Sequence, residues 1–226
     1  KGQLKDLNKT VNDTSDSVED AVGAFAALGA GLAVLSVALK GAIEVGMEFN
    51  KTMSSVKAVS GATEGQFASL TKSAREFGIT SVYTATNVAE LQFELSKLGF
   101  AANEIENVTG GILDLAAATS TDLAYAAEIA GGTLRAFQLD STEMVEVADM
   151  MATSFSSSAL NMDRFANSMS YVGPVANAMK WGVKDVTSMV MTLADNMIHG
   201  SMAGTGMRKI MLMVTKEGSK MAKAVG

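Results

Sequence analysis

Apolar side chains recur at heptad spacing from residue 4 to residue 56. Among the first 20 residues the only large apolar side chains are Leu4, Leu7, Val11 and Val18, and all four fall on a and d of one register. The register continues through Ala21, Phe25, Leu28, Leu32, Leu35, Leu39, Ala42, Phe49, Met53 and Val56, and only Thr14 and Gly46 break it. Fourteen of 16 seam positions are apolar in a chain that is 48% hydrophobic, so the stripe is a pattern rather than an accident of composition. One apolar stripe on one face of a long helix calls for a partner helix. Beyond residue 40 the signal weakens, because Ile43, Val45 and Met47 lie off the seam.

Inside this segment lies an uncharged run of 19 residues, Ala21–Leu39. As a helix it is roughly 28 Å long, close to the ~30 Å hydrocarbon core of a bilayer. Gly23, Ala27 and Gly31 recur every fourth position, as do Ala26 and Ala30, which lets helix backbones approach closely. The glycines each weaken a water-exposed helix by about 1 kcal/mol relative to alanine. Burying Phe25, Leu28, Leu32, Leu35 and Leu39 returns roughly 1.5–3 kcal/mol apiece, so the helix is viable only when covered. A buried bundle helix or coiled coil, a membrane span, and a segment that enters a membrane after assembly all satisfy this pattern.

Past Ser60 the chain is punctuated by helix starts and stops. Thr63-Glu64-Gly65-Gln66 has capping-box form and predicts a helix to about Phe77. Gly78-Ile79, Gly99-Phe100 and Gly182-Val183 each read as a glycine C-cap followed by an apolar anchor. Further starts fall at Thr84, Asn103, Thr121, Asp140 (with Glu143 three on), Asn161 and Lys184. Pro174 sits inside what is otherwise a helix over 163–180 and predicts a kink there. The landmarks Phe100, Leu139, Leu160 and Val183 are unequally spaced, so no sequence repeat is assigned. The expectation is an all-α chain: a long heptad-patterned apolar helix over 1–60, then a bundle of six to eight short helices over 61–226.

Composition narrows the chemistry. A single proline and 6% aromatics favour helices over sheet. No cysteine is present, which excludes disulfides, thiolate metal sites and cysteine nucleophiles. The one histidine, His199, rules out a multi-histidine metal site within the chain and is placed at a helix end before Gly200. Net charge is −6, unevenly spread: residues 84–149 carry 11 acids against Lys97 and Arg135, and residues 208–226 carry five bases against Glu217. This balance gives no nucleic-acid footprint, and Tyr171 and Trp181 are too isolated to stack bases. Fourteen of 16 methionines follow residue 143 and read as adaptable core filling.

No nucleophile elbow, P-loop, HExxH or EF-hand spacing occurs. Gly200-Ser-Met-Ala-Gly-Thr-Gly206 lies ahead of a helix, whose start can in principle hold a phosphate, but it lacks the preceding strand that dinucleotide and P-loop folds require and is read as a flexible turn. The acids Glu90/Glu94 and Glu104/Glu106 are read as solvated helix-face groups rather than a hydrolytic pair. Neither an enzyme nor a cofactor is expected. The start is not a secretory signal, and a chain opening on Lys1 reads as a piece of something longer.

Eight segments together resemble the core region of phage tail tape measure proteins. They are Met53-Ser-Ser-Val-Lys-Ala-Val-Ser-Gly-Ala-Thr63, Ala74-Arg-Glu-Phe-Gly78, Tyr83-Thr-Ala85, Leu98-Gly-Phe100, Leu115-Ala-Ala-Ala118, Tyr171-Val-Gly-Pro-Val-Ala176, Leu193-Ala-Asp-Asn196 and Gly200-Ser-Met-Ala-Gly-Thr205. The likeness covers about residues 50–210, and an apolar helix before the core also resembles the family. Two departures are Asn87, where an acid usually completes the helix start after Thr84, and Met207, where a smaller or leucine-like residue is usual.

The resemblance implies a longer structural protein inside the tail tube, whose length sets tail length. It implies a homo-oligomer, commonly three parallel copies, with Leu4, Leu7, Val11, Val18, Phe25, Leu28, Leu32, Leu35 and Leu39 as the self-association seam. Tail tube and tail tip proteins are the implied partners, without specific nucleic-acid binding. On infection the family's chain leaves ahead of the DNA and touches the host inner membrane. The candidate membrane segment here is Ala21–Leu39, with Gly23, Ala27 and Gly31 on its small-residue face. A membrane-inserting or pore-forming helical module is the alternative. Some relatives carry a peptidoglycan hydrolase domain, and these 226 residues show no such pattern.

Overall fold

The computed structural model describes residues 44–215. Helix α1 occupies residues 44–60. It is followed by α2 (Glu64–Thr80), α3 (Ala85–Lys97), α4 (Ala102–Thr119), α5 (Leu123–Phe137), α6 (Met144–Ser157), α7 (Met162–Ala178), α8 (Val183–Asp195) and α9 (Ser201–Thr215). A 3-10 turn, Ser141–Glu143, leads into α6. Among the described residues there is no strand, so the all-α expectation holds. Eight α-helices lie between Glu64 and Thr215, at the upper end of the expected range.

Most helix starts are local chemistry. Thr63 caps α2 in a full box: its hydroxyl accepts from the Gln66 N–H at 3.4 Å, and Gln66 Oε1 accepts from the Thr63 N–H at 3.0 Å. Thr84 caps α3 the same way, and the departure at Asn87 costs nothing, because its Oδ1 accepts from the Thr84 N–H at 3.2 Å. Asp140 and Asn161 cap as expected. Three starts shift by one or two residues. The cap of α4 is Ala101 rather than Asn103, with Glu104 accepting from its N–H at 2.8 Å. Asp122 rather than Thr121 caps α5, and Gly182 rather than Lys184 caps α8.

The stops are less regular in sequence than in structure. After α3, α4, α5, α7 and α8 the chain turns through a left-handed residue: Gly99 (φ 81°), Ser120 (51°), Gln138 (54°), Lys180 (58°) and Met197 (63°). The next N–H then returns to a carbonyl five residues back, as in Phe100→Leu95 (3.1 Å), Leu139→Leu134 (3.0 Å) and Trp181→Ala176 (2.9 Å). Gly99-Phe100 therefore caps as expected. The other two glycine pairs do not. Helix α2 runs through Gly78 to Thr80, leaving Ile79 84% exposed. Gly182 has φ −69° and begins α8, because Lys180-Trp181 has already closed α7.

Packing follows a simple rule: each helix lies against the next but one. The pairs α2–α4, α4–α6 and α6–α8 form one row, α3–α5, α5–α7 and α7–α9 form the other, and consecutive helices bridge the rows. The arrangement is a stack of helical hairpins, although the sequence has no fixed period. One buried cluster runs through it from Phe49 to Met211 and includes Leu70, Leu91, Leu95, Ile105, Ile112, Leu134 and Phe165. Burial of each such side chain contributes roughly 1.5–3 kcal/mol. Met144, Met151, Met162, Met169, Met207 and Met211 are buried, as core filling requires, and the departure at Met207 is a core contact of α9.

At two crossings the backbones nearly touch. A Cβ on Gly78 would lie 2.6 Å from the Ala85 nitrogen, so α3 can start directly against the end of α2. A Cβ on Gly204 would lie 2.6 Å from the Ser168 carbonyl oxygen, where α9 crosses α7. Ser168 is fully buried there and donates its hydroxyl to the Gly200 carbonyl at 3.0 Å. The expected flexible turn at 200–206 is accordingly the first half of α9, and only Gly200 (φ 61°) is a turn residue.

A polar clamp joins the rows. Arg135, in the last turn of α5, stacks its guanidinium 4.1 Å from the Phe100 ring centroid. It donates to the Gly99 carbonyl at 3.0 Å and to both Glu104 oxygens at 2.9 and 3.3 Å. The Ala101 N–H, and after it Arg135, hold the Glu104 carboxyl below the usual carboxylate range. A carboxylate with a lowered folded-state pKa stabilises the fold above its unfolded pKa and loses that contribution as pH falls through the folded value.

Gly78→Ala and Gly204→Ala should each lose about 1–3 kcal/mol in urea unfolding, since backbone must move. Gly132→Ala should gain up to about 1 kcal/mol, because nothing lies within 4 Å of its Cβ position. Equal effects at all three positions would contradict the close-approach account. For the clamp, Glu104→Gln should lower the urea midpoint at about pH 7, and the deficit should shrink toward about pH 3 as the parent carboxylate protonates. A deficit independent of pH would mean that the charge contributes nothing.

Candidate interaction surface

The acids singled out in the sequence are occupied with structure. Glu94 pairs with Lys97 at 2.6 Å, and Glu90 accepts from Asn87 at 3.5 Å. Glu104 belongs to the Arg135 clamp, and Glu106 accepts from Ser69 at 2.8 Å. His199 does not sit at a helix end; it lies in the link between α8 and α9, because Met197 and Ile198 have already closed α8. Among the described residues no three His, Cys, Asp or Glu side chains come together as a metal site would require. Trp181 serves as an apolar anchor behind the α7 cap.

The amino-terminal seam, Leu4 to Leu39, and the segment Ala21–Leu39 lie outside the described residues. Only the last turns of the heptad register are described. There Phe49, Met53 and Val56 are buried, while the off-seam Val45 and Met47 are exposed. At positions 49, 53 and 56 the stripe is covered by the fold's own core, so this stretch does not need a partner helix. Among the described residues no helix is long and apolar enough to cross a membrane.

What remains open is surface with shape. A cleft of about 510 Å³ lies where the ends of α4 and α6 meet the starts of α5 and α7, lined by Thr119, Tyr125, Phe155, Leu160, Met162 and Asp163 among others. A second, of about 350 Å³, is lined by Glu94, Lys97, Leu98, Ala124, Tyr125 and Glu128. Tyr125 is the shared wall, held by donating its hydroxyl to Asp163 at 2.8 Å across 38 residues of sequence. Burial first, then that bond and the charges of Asp163 and Glu128, push the phenol up to about 12. Burial and the charge of Asp122 raise Tyr83 too. The clefts set the apolar side chains of Phe155, Met162 and Leu98 beside hydroxyls and the carboxylates of Asp163, Glu94 and Glu128. Sequence reading missed Tyr125 and Asp163, since nothing local ties two residues that far apart.

The segments that carried the family resemblance fall on the tight contacts. Gly78 meets Ala85, Gly99 and Phe100 form the α3 cap, Leu115 and Ala116 are buried in α4, and Gly204 crosses Ser168. Their visible part in the structure is packing. A family profile described as phage-related minor tail protein matches residues 71–226. The chain is 33% identical over 183 residues to the tape measure protein of Pneumococcus phage Dp-1, covering 81% of this chain and 16% of that protein. It is 29% identical over 168 residues to the probable tape measure protein of Escherichia phage P2, covering 74% of this chain and 21% of that one. The chain thus spans about a fifth or less of the length of these curated relatives, and no solved structure matches it. A stack of short helices joined at small-residue contacts, with this profile and these relatives, has a structural role in a phage tail: the chain belongs to the phage tail tape measure family.

Proposed function

We propose that this chain is a segment of a tail tape measure, lying in the tail tube and contributing to tail length. The observation that carries the reading is the alignment of most of the chain with a small fraction of two much longer tape measure relatives. A ruler needs little chemistry. It needs a protein whose axial length scales with residue number, which an extended helix supplies at about 1.5 Å per residue and stacked hairpins such as these do not. Copies associate side by side, three being the favoured number, through the seam Leu4–Leu39. Tube and tip proteins are the partners that polymerise around it or anchor it. On ejection the chain leaves ahead of the genome, and specific nucleic-acid binding is not part of the role.

A second reading concerns the host inner membrane. The uncharged length of Ala21–Leu39 favours it, as a segment that inserts transiently during ejection.

Deleting residues from an extended helical part of the corresponding full-length gene, outside the stacked hairpins of 64–215, should shorten tails by about 15 Å per ten residues removed, measured by electron microscopy. Tails of unchanged length would sink the ruler reading. For the membrane reading, the full chain should float with liposomes and the chain lacking residues 21–39 should not. Equal flotation of the two would exclude that segment as the membrane element.

A further inference from the structure

Helix α9 turns an apolar and basic face outward. Ala203, Gly204, Met207 and Met211 are buried against the fold, while Met202 (67% exposed) and Lys209 stand on the opposite side, with the half-exposed Ile210 and Leu212 on its two flanks. Ser201–Thr215 contains Arg208 and Lys209 and no acid, and neither base forms an ion pair among the described residues. Gly206 lies on the same outer face with nothing within 4 Å of its Cβ position. An exposed mid-helix glycine costs about 1 kcal/mol relative to alanine. Gly204 has Ser168 to account for it, whereas among the described residues no neighbour accounts for Gly206. It leaves room for another backbone.

The paired clefts around Tyr125 have the complementary character. Glu94, Glu128 and Asp163 line them against the single base Lys97, which is already bound by Glu94. Glu128 has no ion-pair partner among the described residues. Leu98, Ala124, Phe155 and Met162 supply apolar walls on either side of Tyr125. Two adjacent hollows under a negative field fit a basic amphipathic helix entering by two apolar anchors. The α9 of the same molecule cannot serve, because Gly204 and Ser168 hold it on α7.

We propose that α9 of one copy docks in the Tyr125 clefts of a second copy, with Ile210 and Met202 as anchors and Lys209 facing Glu128. Such a contact joins unlike surfaces, so it is heterologous: it propagates from copy to copy and closes only if the rotation permits a ring. It is separate from the amino-terminal seam.

The absence of cysteine makes the test clean. Full chains carrying only Ala124→Cys or only Thr205→Cys, which leaves both anchors in place, are mixed and treated with a short bis-maleimide crosslinker. The expected product is the mixed dimer, linking position 124 of one copy to position 205 of another. Glu128→Lys should reduce it about tenfold, and Lys209→Glu in the other chain should restore it. Both changes are at exposed positions, so an unchanged thermal midpoint shows that folding is intact. No crosslink, or a dominant 205–205 product, would overturn the proposal, the latter in favour of α9 packing on its own copy. Substituting Leu28 and Leu32 in the seam should leave the mixed crosslink in place. Loss of seam association therefore reads out separately from loss of this contact.

Discussion

Close approach of helix backbones is the constraint on which the structure rests. Short helices of 13 to 18 residues cannot each bury a wide apolar face, and aromatics make up only 6% of the chain. Stability has to come from many narrow contacts, each drawn tight. Where Gly78 meets Ala85 and Gly204 meets Ser168 there is no room for even one added carbon. Gly131 plays a related part by letting Phe100 and Leu98 lie against α5. The few aromatics, Phe49, Phe100, Phe137 and Phe165 among them, sit in the core, and dispersion across these short distances adds to what they supply.

The same constraint explains the stacking order. A helix that touches its second neighbour in sequence must reverse twice within a few residues, so its ends have to stop sharply. The left-handed turns at Ser120, Gln138, Lys180 and Met197 supply that stop without glycine. Non-glycine residues in this region cost roughly 1–2 kcal/mol each. At Gln138 and Lys180 the half-buried anchor behind the turn, Leu139 or Trp181, offsets the cost. Arg135 then locks one of these corners by holding a carbonyl, a carboxylate and a ring at once.

A tail protein built this way has its working chemistry in surfaces. The titratable groups that look functional in sequence serve as caps, clamps and surface pairs. The ones that shape an external field, Tyr125 with Asp163 and Glu128, are brought together by the packing of α5 on α7. Charge is likewise sorted by the fold: Glu94, Glu128 and Asp163 line the clefts, while Arg208 and Lys209 are exposed on α9 with no ion pair among the described residues.

The sequence by itself determined the helical class, the capping boxes at Thr63 and Thr84, the caps at Asp140 and Asn161, the Gly99-Phe100 stop, and the ordered segments of the family. These depend on interactions within five residues, or on composition, and both are written locally. Tertiary structure alone decided that Gly78 and Gly204 are contact points rather than a cap and a loop. It also decided that Phe49, Met53 and Val56 face an internal core, and that Tyr125 meets Asp163. Those outcomes depend on what a neighbouring helix presents, and a glycine looks the same in sequence whether it frees a φ angle or makes space for a backbone.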